Sequence, residues 1–307
     1  MGLESKLTTY LTGGNLISAL ETVNFGTDPS NGNLLDIIRW VGSQRDDLKS
    51  GSSSSTVPLD NLYAFSRQVA AIASANELMR DATFAAKKAE LNLLTADLMH
   101  YSYTKNGNSD TINPKLIRMC LEEAIGASDF FVKSMGSKYL QSMFLAIDSL
   151  KHLFNMTKDL NYARSAFKLY EEVPHEFWQT HPFHSAYMHS SLGRISVIAY
   201  TRLTLTKSQK AKWMEKAISM YLKSAELTER TDERHSAHSY LCAADTVYDM
   251  HRDGIKTDRK RAAAAVKWYS KFLDYNRLHP EKFDSIATTN SRHNKHYLSR
   301  IANSVHQ

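Results

Sequence analysis

The sequence predicts an all-α protein. Gly (12) and Pro (6) are both scarce for 307 residues, whereas sheet-rich folds with many tight turns draw heavily on both. No segment alternates apolar and polar residues in the manner of a half-buried strand. From Leu59 to about Tyr103 there is neither Gly nor Pro, and apolar residues recur at helical spacing. Helix is expected for about three quarters of the residues, against roughly one third in an average globular chain.

Leu3 to Leu11, ended by Gly13-Gly14, and Asn15 to Val23 read as short helices. Leu34 to Leu48 is a third, with Leu34, Leu35, Ile37, Ile38 and Val41 on one apolar face. Asn24 to Asn33 carries turn chemistry. These elements form an N-terminal helical arm or small subdomain over residues 1–49. Ser50 to Thr56 (SGSSSST) reads as a linker or a surface loop, because such residues gain little from burial. The body, 57–307, opens with a very long helix or two helices with a tight joint, and Asp60 is placed to cap its start. Lys105 to Asp110 ends that stretch. Asn113-Pro114 then opens a helix reaching about Ser134, with Asn as cap and Pro in the first turn. Gly136 marks a turn, and Lys138 to Met156 follows as a helix.

The second half is self-similar. Ala166-Phe-Lys-Leu-Tyr170, Ala217-Ile-Ser-Met-Tyr221 and Ala265-Val-Lys-Trp-Tyr269 share one pattern, at steps of 51 and 48 residues. The 51-residue step also superposes His184-Ser185-Ala186 on His235-Ser236-Ala237, and a third copy continues at Ser285-Ile286-Ala287 with a small shift. A small Ala one turn before a Tyr lets a neighbouring helix come close while the Tyr covers the contact. One hairpin cannot bury its own apolar face, so hairpins stack. Over about residues 138–304 the pattern resembles tetratricopeptide-like repeats. The period is longer than that family's, and its Trp-Leu-Gly-Tyr signature and closing Pro are missing. The resemblance implies an α-solenoid architecture and no binding residues.

Charge is unevenly spread. Residues 251–307 hold 12 Lys/Arg and 5 Asp/Glu, a net of +7, whereas the remaining residues hold 26 and 27, a net of −1. Arg252, Lys256, Arg259, Lys260, Arg261, Arg292, Lys295 and Arg300 are candidate contacts for phosphates or an acidic partner. Interleaved Tyr269, Tyr275 and Tyr297 offer stacking surfaces. A solvated helical face with core tyrosines is the plainer reading.

Chemical motifs are sparse. His181/His184, His235/His238 and His293/His296 have the three-residue spacing that suits a metal, but no third ligand accompanies any pair. Glu172-Val173-Pro174-His175 has the Glu-x-x-His spacing of di-iron bundles, with a Pro breaking the required helix. There is no phosphate loop, nucleophile elbow or zinc-protease motif. No cofactor or metal is expected. The leading expectation is a non-catalytic protein-interaction scaffold with a protein partner, met on a face that includes His184, Arg194, His235, His238 and Asp245. One alternative is nucleic-acid association through the basic C-terminal region, directly or as a structural part of a nucleoprotein assembly, viral ones included. The other is an all-α enzyme without a local motif.

Cys120 and Cys242 lie in apolar helical contexts, pointing to reduced thiols and a cytoplasmic or nuclear location. No secretory leader or membrane span is expected. Met1-Gly2 falls short of a myristoylation signal, with Lys6 where Ser or Thr is wanted.

Overall fold

The computed structural model describes residues 1–24, 33–51, 57–75, 82–105, 113–132, 136–255 and 257–304. Helix makes up 85% of these, with no strand among them. The chain divides into two compact units, Met1–Ser149 and Leu150–Gln307.

The first unit contains α1 (Leu3–Thr12), α2 (Leu16–Glu21), α3 (Leu34–Ser50), α4 (Leu59–Ser74), α5 (Ala82–Lys105), α6 (Pro114–Phe131) and most of α7 (Ser137–Thr157). Leu7, Ile37, Leu62, Phe65, Phe84, Leu91 and Leu98 are fully buried in one core. Residues of the 1–49 segment therefore share that core with α4 and α5. Most of the Ser-rich stretch, 52–56, lies outside the described residues.

The long Gly- and Pro-free segment forms two helices, α4 and α5. Asp60 does not cap the first. Pro58 holds the N-cap position, and Asp60 lies in the first turn, where its carboxylate still suits the helix dipole. Asn113 caps α6 as expected, its side chain accepting the Lys115 N–H at 2.9 Å. That helix ends at Phe131, short of Ser134.

Several buried polar groups in this unit are paired in place. The buried Asp97 carboxylate accepts from Lys49 at 2.6 Å and faces Arg45 at 3.6 Å. His100 Nε2 meets Asp148 at 3.1 Å. Tyr103, Ser149 and Cys120 form a buried hydroxyl–thiol cluster, and burial pushes the Cys120 thiol up to about 12. A buried carboxylate is tolerated only when paired in this way.

The second unit is built from three helical hairpins. They are α8 (Leu160–Glu171) with α10 (Pro182–Arg202), α11 (Lys207–Thr228) with α12 (Glu233–Arg252), and α13 (Arg259–Leu278) with α14 (Ser285–Asn303). A single turn, α9 (Phe177–Thr180), lies inside the first. Consecutive helices from α10 to α14 pack against one another. Side-chain caps start most of them. Asp159, Asp232, Asp258 and Asp284 each accept a first-turn N–H, and Thr206 forms a reciprocal box with Gln209; each such cap contributes about 1 kcal/mol.

Ala166, Ala217 and Ala265 are fully buried on α8, α11 and α13. The Tyr one turn later covers a close approach. Gly193 of α10 lies so near the Tyr221 ring that an added Cβ would sit 2.8 Å from it. The second helices of the hairpins begin at N-caps His181, Asp232 and Asp284, steps of 51 and 52. The third copy thus shifts by four residues relative to the 48-residue step of the first helices. The hairpins keep one length, with Thr206 to Asp232 and Asp258 to Asp284 the same distance apart in sequence, and the Ala-x-x-x-Tyr segment lies one turn nearer the N-cap in α13 than in α11. Thr288-Thr289, rather than Ser285 to Ala287, occupies the Ser236-Ala237 position.

Among the described residues no helix is long and apolar enough to cross a membrane.

Candidate functional site

Two grooves in the second unit are lined by some of the residues singled out in the sequence. The first, about 520 Å³, is lined by Tyr187, Asp232, Arg234, His235, His238 and Phe283. It brings His235 and His238 together because three-residue spacing places both on one side of α12. His235 is not free to act as a ligand. Its Nε2 lies 2.9 Å from Ser224 Oγ, its ring stacks on Tyr187 at 4.3 Å, and burial lowers its pKa. His238 is exposed and lies parallel to Phe283 at 6.1 Å. His184 is half-buried on α10 against the edge of Phe183, and Arg194 is exposed further along that helix.

The second groove, about 550 Å³, lies between α12 and α14 and is lined by Asp245, Asp249, Arg252, Asp284, Asn290 and Asn294, among others. Asp245 Oδ1 accepts the Tyr269 hydroxyl at 2.5 Å and the Asn294 amide at 3.3 Å. Asp249 accepts the Tyr200 hydroxyl at 3.1 Å. Burial raises the pKa of both carboxyls and, with the adjacent carboxylate, raises those of both tyrosines. Of the residues proposed from sequence for one partner face, His235 and His238 line the first groove, Asp245 lines the second as a bridge to the α13–α14 hairpin, and His184 and Arg194 line neither.

A third bridge closes the first hairpin. His189 is buried, and desolvation lowers its pKa to about 4, so the ring is neutral near pH 7. Nδ1 donates to the Ser185 carbonyl at 2.6 Å, leaving Nε2 to accept the Tyr170 hydroxyl at 3.1 Å. Lys223 donates to the same Tyr170 oxygen at 3.2 Å. Lys271 repeats the motif one hairpin on, donating to Tyr240 at 2.9 Å and lying 4.2 Å from its ring centre. These tyrosine bridges were missed in the sequence, although the Ala-x-x-x-Tyr pattern carries two of the tyrosines.

The basic residues separate into three sets. Arg252 is paired with Asp249 at 2.8 Å and Asp253 at 3.6 Å, and Arg261 is paired with Glu215. Arg259 and Lys260 are exposed in the first turn of α13, with no ion pair among the described residues. Arg292, Lys295 and Arg300 lie on α14, likewise without one. Lys256 lies outside the described residues. Among those residues, no group of three or more His, Cys, Asp or Glu is placed to hold a metal ion. No family model matches the chain, and no curated protein or solved structure matches it significantly.

Proposed function

We propose that the chain is a non-catalytic protein–protein interaction scaffold whose C-terminal hairpins form a tetratricopeptide-like α-solenoid. One observation carries this reading. The side chains of the second unit best suited to acid–base chemistry are committed to bridges: Asp245 to Tyr269, Asp249 to Tyr200, His189 to Tyr170. Groups used this way hold hairpins in register and leave the surface to do the work. The regular N-caps at 181, 232 and 284 support the solenoid.

The test is affinity capture with chemical cross-linking, comparing the wild-type chain with Arg194→Glu/Arg234→Glu and with Gly193→Val. Both variants are expected to lose the same cross-linked partner. Undiminished recovery by Gly193→Val, with its hairpin packing disturbed, would overturn the reading.

A second reading is association with nucleic acid, favoured by the three cations of α14 and by Tyr297, 37% exposed beside them. A filter-binding salt titration decides it. No binding at low salt, or binding indifferent to salt, removes it.

A further inference from the structure

Aligning the second helices of the three hairpins on their N-caps places five positions in one stripe. On α10 these are Ala186, His189, Ser190, Gly193 and Val197; on α12, Ala237, Tyr240, Leu241, Ala244 and Tyr248; on α14, Thr289, Arg292, His293, His296 and Arg300. The spacing of three and four residues makes each set one continuous face. On α10 and α12 this face receives the next hairpin's first helix. Gly193 lies under Tyr221 of α11, and Tyr240 under Lys271 of α13. Ala186, Gly193, Ala237, Tyr240, Leu241 and Ala244 are buried, while His189 meets Tyr170 of α8 and Tyr248 meets Tyr297 of α14 at the margins of these faces.

On α14 all five residues of the stripe are exposed. Two are arginines and two histidines. No Asp or Glu occurs between Ser285 and Asn303, and neither arginine has an ion pair among the described residues. The apolar stripe that accepts a helix has become a cationic stripe of the same width and pitch.

Building on the scaffold reading, we propose that this stripe of α14 docks an acidic α-helix of a partner protein. The shape follows from the two equivalent stripes, each of which seats a helix. The charge follows from complementarity, since acidic side chains at three- and four-residue spacing would meet Arg292, His296 and Arg300 in turn. A nucleic-acid strand would satisfy the charge but not the straight single-helix register.

The probe is a fluorescein-labelled amphipathic peptide with glutamates on one helical face, measured by anisotropy against the full chain at low salt. Two further probes are a peptide of the same composition broken by prolines and a single-stranded oligonucleotide. Arg292→Glu/Arg300→Glu is expected to weaken the helical peptide by about tenfold or more. Arg259→Glu/Lys260→Glu makes the same change in net charge away from the stripe and is expected to leave binding within about twofold. Circular dichroism confirms that both variants stay helical. Absent binding, equal losses in both variants, or equal binding of the proline-broken peptide would each overturn the proposal. Preference for the oligonucleotide would overturn it in favour of nucleic acid. Should the peptide fail while cross-linked capture succeeds, the scaffold stands and the α14 site falls.

Discussion

The two units solve the same problem differently. In Met1–Ser149 the core is filled by large side chains such as Phe65, Phe84 and Leu91, and buried charge is neutralised by nearby cations, as at Asp97. In Leu150–Gln307 the helices approach through Ala and Gly, and tyrosine hydroxyls reach across to carboxylates and histidine. The first arrangement depends on volume and the second on register. A defect in the first should cost what a cavity costs, whereas a defect in the second should loosen one hairpin from the next.

Phe65→Ala tests the volume side most severely. Phe65 is fully buried and meets Trp40 edge-on at 6.2 Å, so its loss is expected to destabilise the first unit by about 3–5 kcal/mol. Urea denaturation should show that transition moving alone. If a second-unit signal moves equally, the two units unfold together and the contrast collapses.

Gly193→Val tests the register side. Its side chain would overlap the Tyr221 ring, itself 3% exposed and unable to swing aside. A loss of up to about 3 kcal/mol is expected in the second unit. An unchanged midpoint would mean that the hairpins separate without cost. Tyr269→Phe removes a hydrogen bond to a partly buried carboxylate and is expected to cost about 2 kcal/mol, measured in the same way.

The smallest effect is in pH dependence. His189 titrates near 4 in the folded chain and near 6.5 unfolded. Between these values the unfolded state binds more protons, so His189 makes stability fall as pH drops from about 6.5 toward 4. His189→Gln lacks this response. The stability gap between wild type and variant should narrow by about 1 kcal/mol between about pH 7.5 and 5.5. A constant gap would show that the ring is protonated in place.

Much of the helical framework was legible because its signals are local. Asn113-Pro114 announced α6, and three Ala-x-x-x-Tyr segments located α8, α11 and α13. Two local signals misled. Asp60 resembled a cap although Pro58 held that position, and Ser285-Ile286-Ala287 resembled a third copy although the Ala-x-x-x-Tyr segment that set the step sits one turn earlier in α13 than in α11. The site was harder to read. Arg261 is neutralised by Glu215, 46 residues away, and Asp245 is committed to Tyr269 and Asn294. A single sequence does not display such partners. The cationic character of α14 was visible throughout, because it depends on the absence of acids within one segment.

The two cysteines fall one to each unit, Cys120 in the first and Cys242 in the second. Cys242 is half-buried, whereas Cys120 is fully buried, and burial raises its thiol to about 12, so near neutral pH it does not supply the thiolate that reacts with a maleimide or disulfide reagent. The chain therefore carries a built-in clock. The Cys120 sulfur is silent while the first unit is closed and reacts when that unit opens, so its labelling rate times the opening of that half.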